Sequence, residues 1–187
     1  MNATSYYRPV DLQLCQGDIL ERVPQLYLKD YPGPIRKTTL AGNRTVYELE
    51  ELAPGTLAAT PDEGILVPAH CQVTRAMLLT YDCEIDKDRK HRTVALIRPL
   101  PASMPPQDLA TIRENRRFAF FYLPAGGDLL PESYVDFRRI CTISPQWADS
   151  ASRLASLTPV ARQAMLLQFF RFLTRVELDP GIFGTAE

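Results

Sequence analysis

Histidine is nearly missing from this chain: His70 and His91 are the only two in 187 residues. A histidine-rich metal site is thereby excluded. Cysteine is sparse as well, with Cys15, Cys71, Cys83 and Cys141 scattered and no Cys-x-x-Cys pair. That spacing supports neither a zinc cluster nor a disulfide framework, so reduced and mostly packed thiols are expected. No apolar run approaches the ~20 residues that span a bilayer. Residues 1–9 lack the apolar centre of a signal peptide, so the expectation is a cytoplasmic protein without membrane contact. Excess charge of either sign is absent too: 21 basic and 22 acidic residues leave a net charge of −1. Global attraction to nucleic acid is therefore excluded, and any basic surface has to be local. Finally, there is no phosphate-binding glycine loop, no dinucleotide fingerprint and no Gly-x-Ser-x-Gly elbow. No cofactor is expected.

What is present suits one globular domain, 1–187. Hydrophobic residues make up 45% of the chain and charged residues 23%, close to the globular average. Sixteen prolines, as in Tyr31-Pro32-Gly33-Pro34 and Met104-Pro105-Pro106, punctuate the apolar runs. Proline removes a ladder donor, so it separates short strands rather than lying inside them. Strands are expected from Gly17 to Val23 with an extension over Gln25 to Lys29, over 43–50, from Gly64 to Pro68, and from Cys71 to Asp82. Others are expected from Arg92 to Leu100, Arg117 to Leu123 and Tyr134 to Ile143. The 71–82 and 92–100 runs are apolar on both faces, which marks a central antiparallel pair. Residues 82–91 read as a charged turn.

Two helices complete the reading. Pro106 to Asn115 has acids and amides first and Arg113 near its end, matching the helix dipole. The second runs from Pro159 to about Val176, with Thr158 as N-cap and proline at the first helical position. Its Met165, Phe169 and Leu173 form an apolar stripe expected to dock on the sheet, while Gln163, Gln168, Arg171 and Arg175 fall on the polar half. The fold class is thus mainly β with helices: a β-barrel core over 15–143 or a curved antiparallel sheet, an inserted helix near 106–115, and a packing helix over 158–176.

Three groups of residues are candidates for chemistry. Arg75 shares a strand face with Met77, Leu79 and Tyr81, an unusual place for a guanidinium unless it lines a groove or pairs with a carboxylate. Asp82, Cys83, Glu84, Asp86 and His91 form a second group, a reactive site or merely a turn. The surrounding carboxylates raise the thiol's pKa, which argues against an activated Cys83 and for a packed one. The alternating acids lack the glycine and the distal glutamate of a calcium loop, so no metal is expected there.

The third group is basic: Arg113, Arg116, Arg117, Arg138 and Arg139, with Arg171 and Arg175 on the last helix. Phe118, Phe120, Phe121 and Tyr122 interleave with it. Arginine forks hold phosphates and aromatic faces stack bases, so single-stranded RNA is a candidate partner. The competing reading makes the aromatics core and the arginines a solvated rim.

The order Gly17-Asp18-Ile19, Arg75-Ala-Met-Leu-Leu-Thr80 and Arg92-Thr93-Val-Ala-Leu-Ile-Arg-Pro-Leu100 resembles the PemK/MazF family. That resemblance implies an SH3-like barrel and an endoribonuclease of toxin–antitoxin or phage-defence type. In it Arg75 would serve as acid/base and phosphate binder, and Thr93 would assist at the scissile phosphate. Cleavage would then be metal-independent, with a 2′-hydroxyl attacking the adjacent phosphate. The family's proline after the arginine is Ala76 here. Thr80-Tyr81-Asp82-Cys83-Glu84-Ile85, Phe121-Tyr122-Leu123-Pro124 and Val135-Asp136-Phe137-Arg138 also resemble a group of uncharacterised bacterial proteins, which implies no function. The alternative of another class is a non-catalytic module binding a protein partner. Oligomeric state is not legible.

Overall fold

The computed structural model describes residues 6–27, 35–40, 44–49, 70–85, 87 and 91–175. The chain gathers into two compact units, one of residues 24–72 and one of the rest. In the smaller unit, β3 (Ile35–Leu40) and β4 (Arg44–Leu49) form an antiparallel pair, with Ile35 opposite Leu49 and Leu40 opposite Arg44. The strand over 43–50 is therefore present. Its partner β3 lies in what the sequence suggested was a connection. The strand expected from Gly64 to Pro68 falls outside the described residues, as do Asp86 and Asp88.

The larger unit is built on a seven-stranded sheet of order β1-β9-β2-β5-β6-β8-β7. Its members are β1 (Tyr7–Arg8), β2 (Asp18–Tyr27, in this unit as far as Val23), β5 (His70–Leu78, in this unit from Val73), β6 (Arg92–Pro99), β7 (Phe120–Leu123), β8 (Ser133–Ile143) and β9 (Arg153–Leu157). The central pair is antiparallel as expected, with Met77 opposite Ala95 and Leu78 opposite Val94. Alternation along it divides two cores. Met77, Leu79, Ala95 and Ile97 join Phe121, Val135, Phe137 and Leu157 on one face. Ala76, Leu78 and Val94 join Leu20, Val23 and Ala148 on the other. That explains why these strands are apolar throughout: both faces are covered.

Helices supply the covers. On the first face lies α4 (Pro159–Thr174), which buries Ala161 and Met165. On the second are α1 (Asp82–Ile85) and α3 (Pro145–Ser150), through Ile85 and Ala148. Further along that face α2 (Pro106–Arg113) packs Ile112 with Phe120 and Tyr134. The Thr158 hydroxyl accepts the Ala161 N–H at 3.4 Å, so the N-cap of α4 is where the sequence puts it.

Three expectations need correction. Residues 82–85 form a helical turn rather than a plain charged turn, with Asp82 and Glu84 at its positive end, where the dipole favours acids. Leu173 is 61% exposed and does not dock. Phe172 takes its place beside Phe169, and both rings lie against Phe137 at 5.9 and 5.0 Å. Gln168, assigned to the polar half, is buried.

Interstrand hydrogen bonds do not close this sheet into a barrel among the described residues. Even so, its edges meet. Six spacings of ~4.8 Å would set β1 and β7 about 29 Å apart in a flat sheet. Instead the Tyr6 hydroxyl donates to the Tyr122 carbonyl at 2.8 Å, and that of Tyr7 to the Pro124 carbonyl at 2.6 Å. The sheet therefore curls, with the Met77 face inside.

Candidate nucleic-acid interface

Two motifs distant in sequence meet where β2 begins. Gly17 has φ +90°, and a Cβ there would stand 3.3 Å from the Leu157 Cβ. Only glycine combines that φ with so close an approach. The turn it allows brings Asp18 under β9, wholly buried. The Asp18 carboxylate accepts the Cys15 N–H at 2.9 Å, takes the Ser156 hydroxyl, and faces Arg153 at 3.4 Å. Next door, one Asp82 oxygen accepts the Gln16 N–H at 2.6 Å and the other accepts from Arg162 at 2.7 Å. Both carboxylates are thus engaged in holding the fold.

The other members of the 82–91 group are dispersed. Cys83, expected to be packed, is instead exposed, because α1 turns it away from the sheet; His91 is exposed too, and Glu84 meets Lys87 at 3.3 Å. Burial, followed by Asp18 and Asp82, raises the Cys15 pKa, with Arg8 opposing. A thiol with a raised pKa is a poor nucleophile at neutral pH. Among the described residues, no three His, Cys, Asp or Glu side chains gather as a metal site. Near Asp18, a cavity of about 320 Å³ is lined by Arg92, Asp149 and Arg153 among aliphatic side chains. None of the candidate catalytic or RNA-binding residues lines it.

Arg75 and Thr93 are not brought together. Arg75 stands opposite Ile97, while Thr93 accepts the Leu79 N–H through its carbonyl at 2.8 Å. Four residues of strand, about 13 Å, separate them on the same face. The fully buried Met77 and Ala95 lie between. Arg75 instead reaches Glu21 at 3.5 Å, both side chains about one-third exposed. Thr93 donates its N–H to the Thr80 hydroxyl at 2.7 Å. A phosphate engaging both side chains needs them within hydrogen-bond reach of one group.

The arginine-rich group divides in two. Arg113 grips Glu132 with a fork of 2.6 and 2.7 Å, and Tyr122 donates to the same carboxylate at 2.5 Å. The Arg113 bond holds the Glu132 carboxyl below its ordinary pKa, while burial and Glu132 push Tyr122 up to about 12. Arg117 pairs with Asp108, and Arg116 meets Glu114 at 2.7 Å. Arg138 grips the buried Asp136 with two bonds of 2.9 Å and lies 4.7 Å over the Phe120 ring. Arg139 is exposed on β8.

Arg171 and Arg175 differ. Their guanidinium carbons lie 5.0 Å over Phe118 and 5.1 Å over Phe172. Among the described residues, neither forms an ion pair with a carboxylate. Gln168 positions the first of them. Its amide nitrogen donates to the Asn115, Arg117 and Phe120 carbonyls at 3.0, 2.8 and 3.0 Å, and its oxygen accepts from Arg171 at 3.2 Å. Phe170 and Leu173 are exposed on the same helix. Sequence reasoning missed Gln168, Arg162 and Asp136. For Gln168 a signal existed, since it stands three residues past Met165 and seven past Ala161, on the buried stripe.

No protein-family model, no curated protein and no solved structure matches this chain. No helix of the described residues is long and apolar enough to cross a membrane.

Proposed function

We propose that the protein binds single-stranded nucleic acid, RNA foremost, on the face formed by the 116–118 loop and the C-terminal half of α4. One observation carries this reading: the guanidinium carbons of Arg171 and Arg175 lie over the Phe118 and Phe172 rings, without carboxylate partners among the described residues. A guanidinium over a ring can still turn N–H groups to phosphate and its outer plane to a base; in Arg171 one nitrogen is already engaged by Gln168, whereas Arg175 is exposed. The Arg113, Arg117 and Arg138 surface contributes less, because each guanidinium is already paired. A toxin or defence setting, as in the PemK/MazF resemblance, is compatible with such binding. This reading rests on binding alone; Arg75 and Thr93, which the PemK/MazF resemblance would make the reacting pair, stand four strand residues apart, and Arg75 faces Glu21.

Fluorescence anisotropy with a labelled single-stranded RNA tests it. Log affinity should fall linearly with log salt, by roughly 0.7 per phosphate contacted. Single strands should bind more tightly than duplex of the same sequence, because only their bases are free to stack. Absence of binding at low salt would overturn the reading. A protein that binds no RNA at low salt would leave the alternative, a non-catalytic module that binds a protein partner.

A further inference from the structure

The seam where the curled sheet stays open is crossed by a short strap, residues 6–8. On one side the strap is held by a two-position ladder, Tyr7 opposite Leu157 and Arg8 opposite Ser156, and by the Thr158 N–H donating to the Tyr6 carbonyl at 3.0 Å. On the far side, among the described residues, the hydrogen bonds are made by side chains alone. They are the two tyrosine hydroxyls, one to the β7 carbonyl of Tyr122 and one to Pro124 just beyond it. The Tyr6 ring also stacks on Phe121 at 6.1 Å. Gly126 makes room for the Tyr7 ring, since a Cβ there would lie 3.2 Å from Tyr7 Cε2. Behind the ring is a small apolar cavity of about 40 Å³ between Ile19, Leu130, Leu154 and Ala155.

We propose that this strap is a latch that opens as a unit ahead of global unfolding, parting the seam between β9 and the loop of residues 124–130. Three observations converge on it. The ladder is too short to be cooperative by itself, and strands of two residues add few bonds to offset their ordering. Its bonds to the far side are two hydroxyl contacts, each of modest net strength. The space behind Tyr7 is not filled, so lifting that ring forfeits little close packing, and the Tyr6 contact with Phe121 is the main packing that opening has to break. The central strands, by contrast, are buried on both faces, and segments of that kind open last. Burial raises the pKa of both tyrosines, which keeps the hydroxyls as neutral donors through the physiological range. The 124–130 loop has a bond of its own that reports on the seam, the Gly126 N–H to the Leu130 carbonyl at 2.8 Å.

Native-state hydrogen exchange read by mass spectrometry tests the latch on the full chain, comparing the parent with Tyr6→Phe/Tyr7→Phe and, separately, with Gly126→Ala. The first pair removes the hydroxyl bonds at constant ring volume. The second crowds the Tyr7 ring without removing either hydroxyl group. Each should accelerate exchange in residues 6–8 and 124–130 by roughly ten-fold or more, with β5 and β6 unchanged. Equal acceleration in β5 and β6, global unfolding of either variant, or no acceleration at the seam would overturn the proposal.

Discussion

Arg171 and Gln168, one turn apart on α4, are joined by a 3.2 Å hydrogen bond from the guanidinium to the amide oxygen. The same amide spends its N–H groups on three carbonyls of residues 115–120. One buried side chain thus ties the helix to the loop carrying Phe118 and aims the arginine that stacks on it. The Phe120 carbonyl is on the edge strand β7, so this bond also satisfies part of an edge that would otherwise be open to pairing.

Replacing Gln168 by Leu should therefore destabilise the fold by about 1–3 kcal/mol, the usual cost of leaving buried carbonyls without a donor. Gln163→Leu, at an exposed position of the same helix, should stay within about 0.5 kcal/mol. Urea unfolding of the two variants measures the difference. Equal effects would mean that the three bonds contribute nothing beyond packing.

Glu132 supplies the acid limb of the pH dependence. Its pKa is lowered from an ordinary 4.5, chiefly by the Arg113 bond. A carboxyl depressed in the folded state contributes stability that is fully present above its unfolded pKa. That contribution is lost as pH falls through the folded value. Glu132→Gln should thus be less stable than the parent at neutral pH, and the gap should close on acidification below pH 4.5. Thermal melts across pH 3 to 7 show it; a gap that widened in acid would contradict the sign.

The four thiols should label at two rates. Cys71 and Cys83 are exposed, whereas Cys15 and Cys141 are half-buried with pKa values raised mainly by burial. A maleimide at neutral pH should modify two cysteines quickly and two slowly, because access favours the first pair and the raised pKa values of Cys15 and Cys141 slow the second. Rapid labelling at Cys15 would show that the turn before Asp18 opens readily.

Much of the larger unit is legible because its signals are local. Thr158-Pro159 announces the start of α4, and the doubly apolar runs of β5 and β6 announce the sheet centre. The smaller elements are harder to read. In α3, Ser144 caps the Trp147 N–H at 3.2 Å, yet that helix is only six residues long, too short for periodicity to register. Burial of Gln168 depends on carbonyls some fifty residues away, and its polarity outweighed its place on the stripe. The same holds for the site. Carboxylate pairing of Arg113, Arg117 and Arg138 is set by tertiary contacts with Glu132, Asp108 and Asp136. The meeting of Gly17-Asp18 with Asp82 spans more than sixty residues. Strand parity does place Arg75 and Thr93 on one face, four residues of strand apart.

The measurement that bears most directly on the proposed function compares RNA affinity across three variants. Arg171→Ala/Arg175→Ala should weaken binding of a labelled single strand and reduce the salt slope by about 1–1.5, the loss of two phosphate contacts. Arg113→Ala/Arg138→Ala should weaken it less, since those guanidiniums are paired. Arg75→Ala should leave both affinity and unfolding midpoint close to the parent, its ion pair being long and partly exposed. Unchanged affinity and slope in the Arg171/Arg175 variant, or loss of binding in Arg75→Ala alone, would contradict the account.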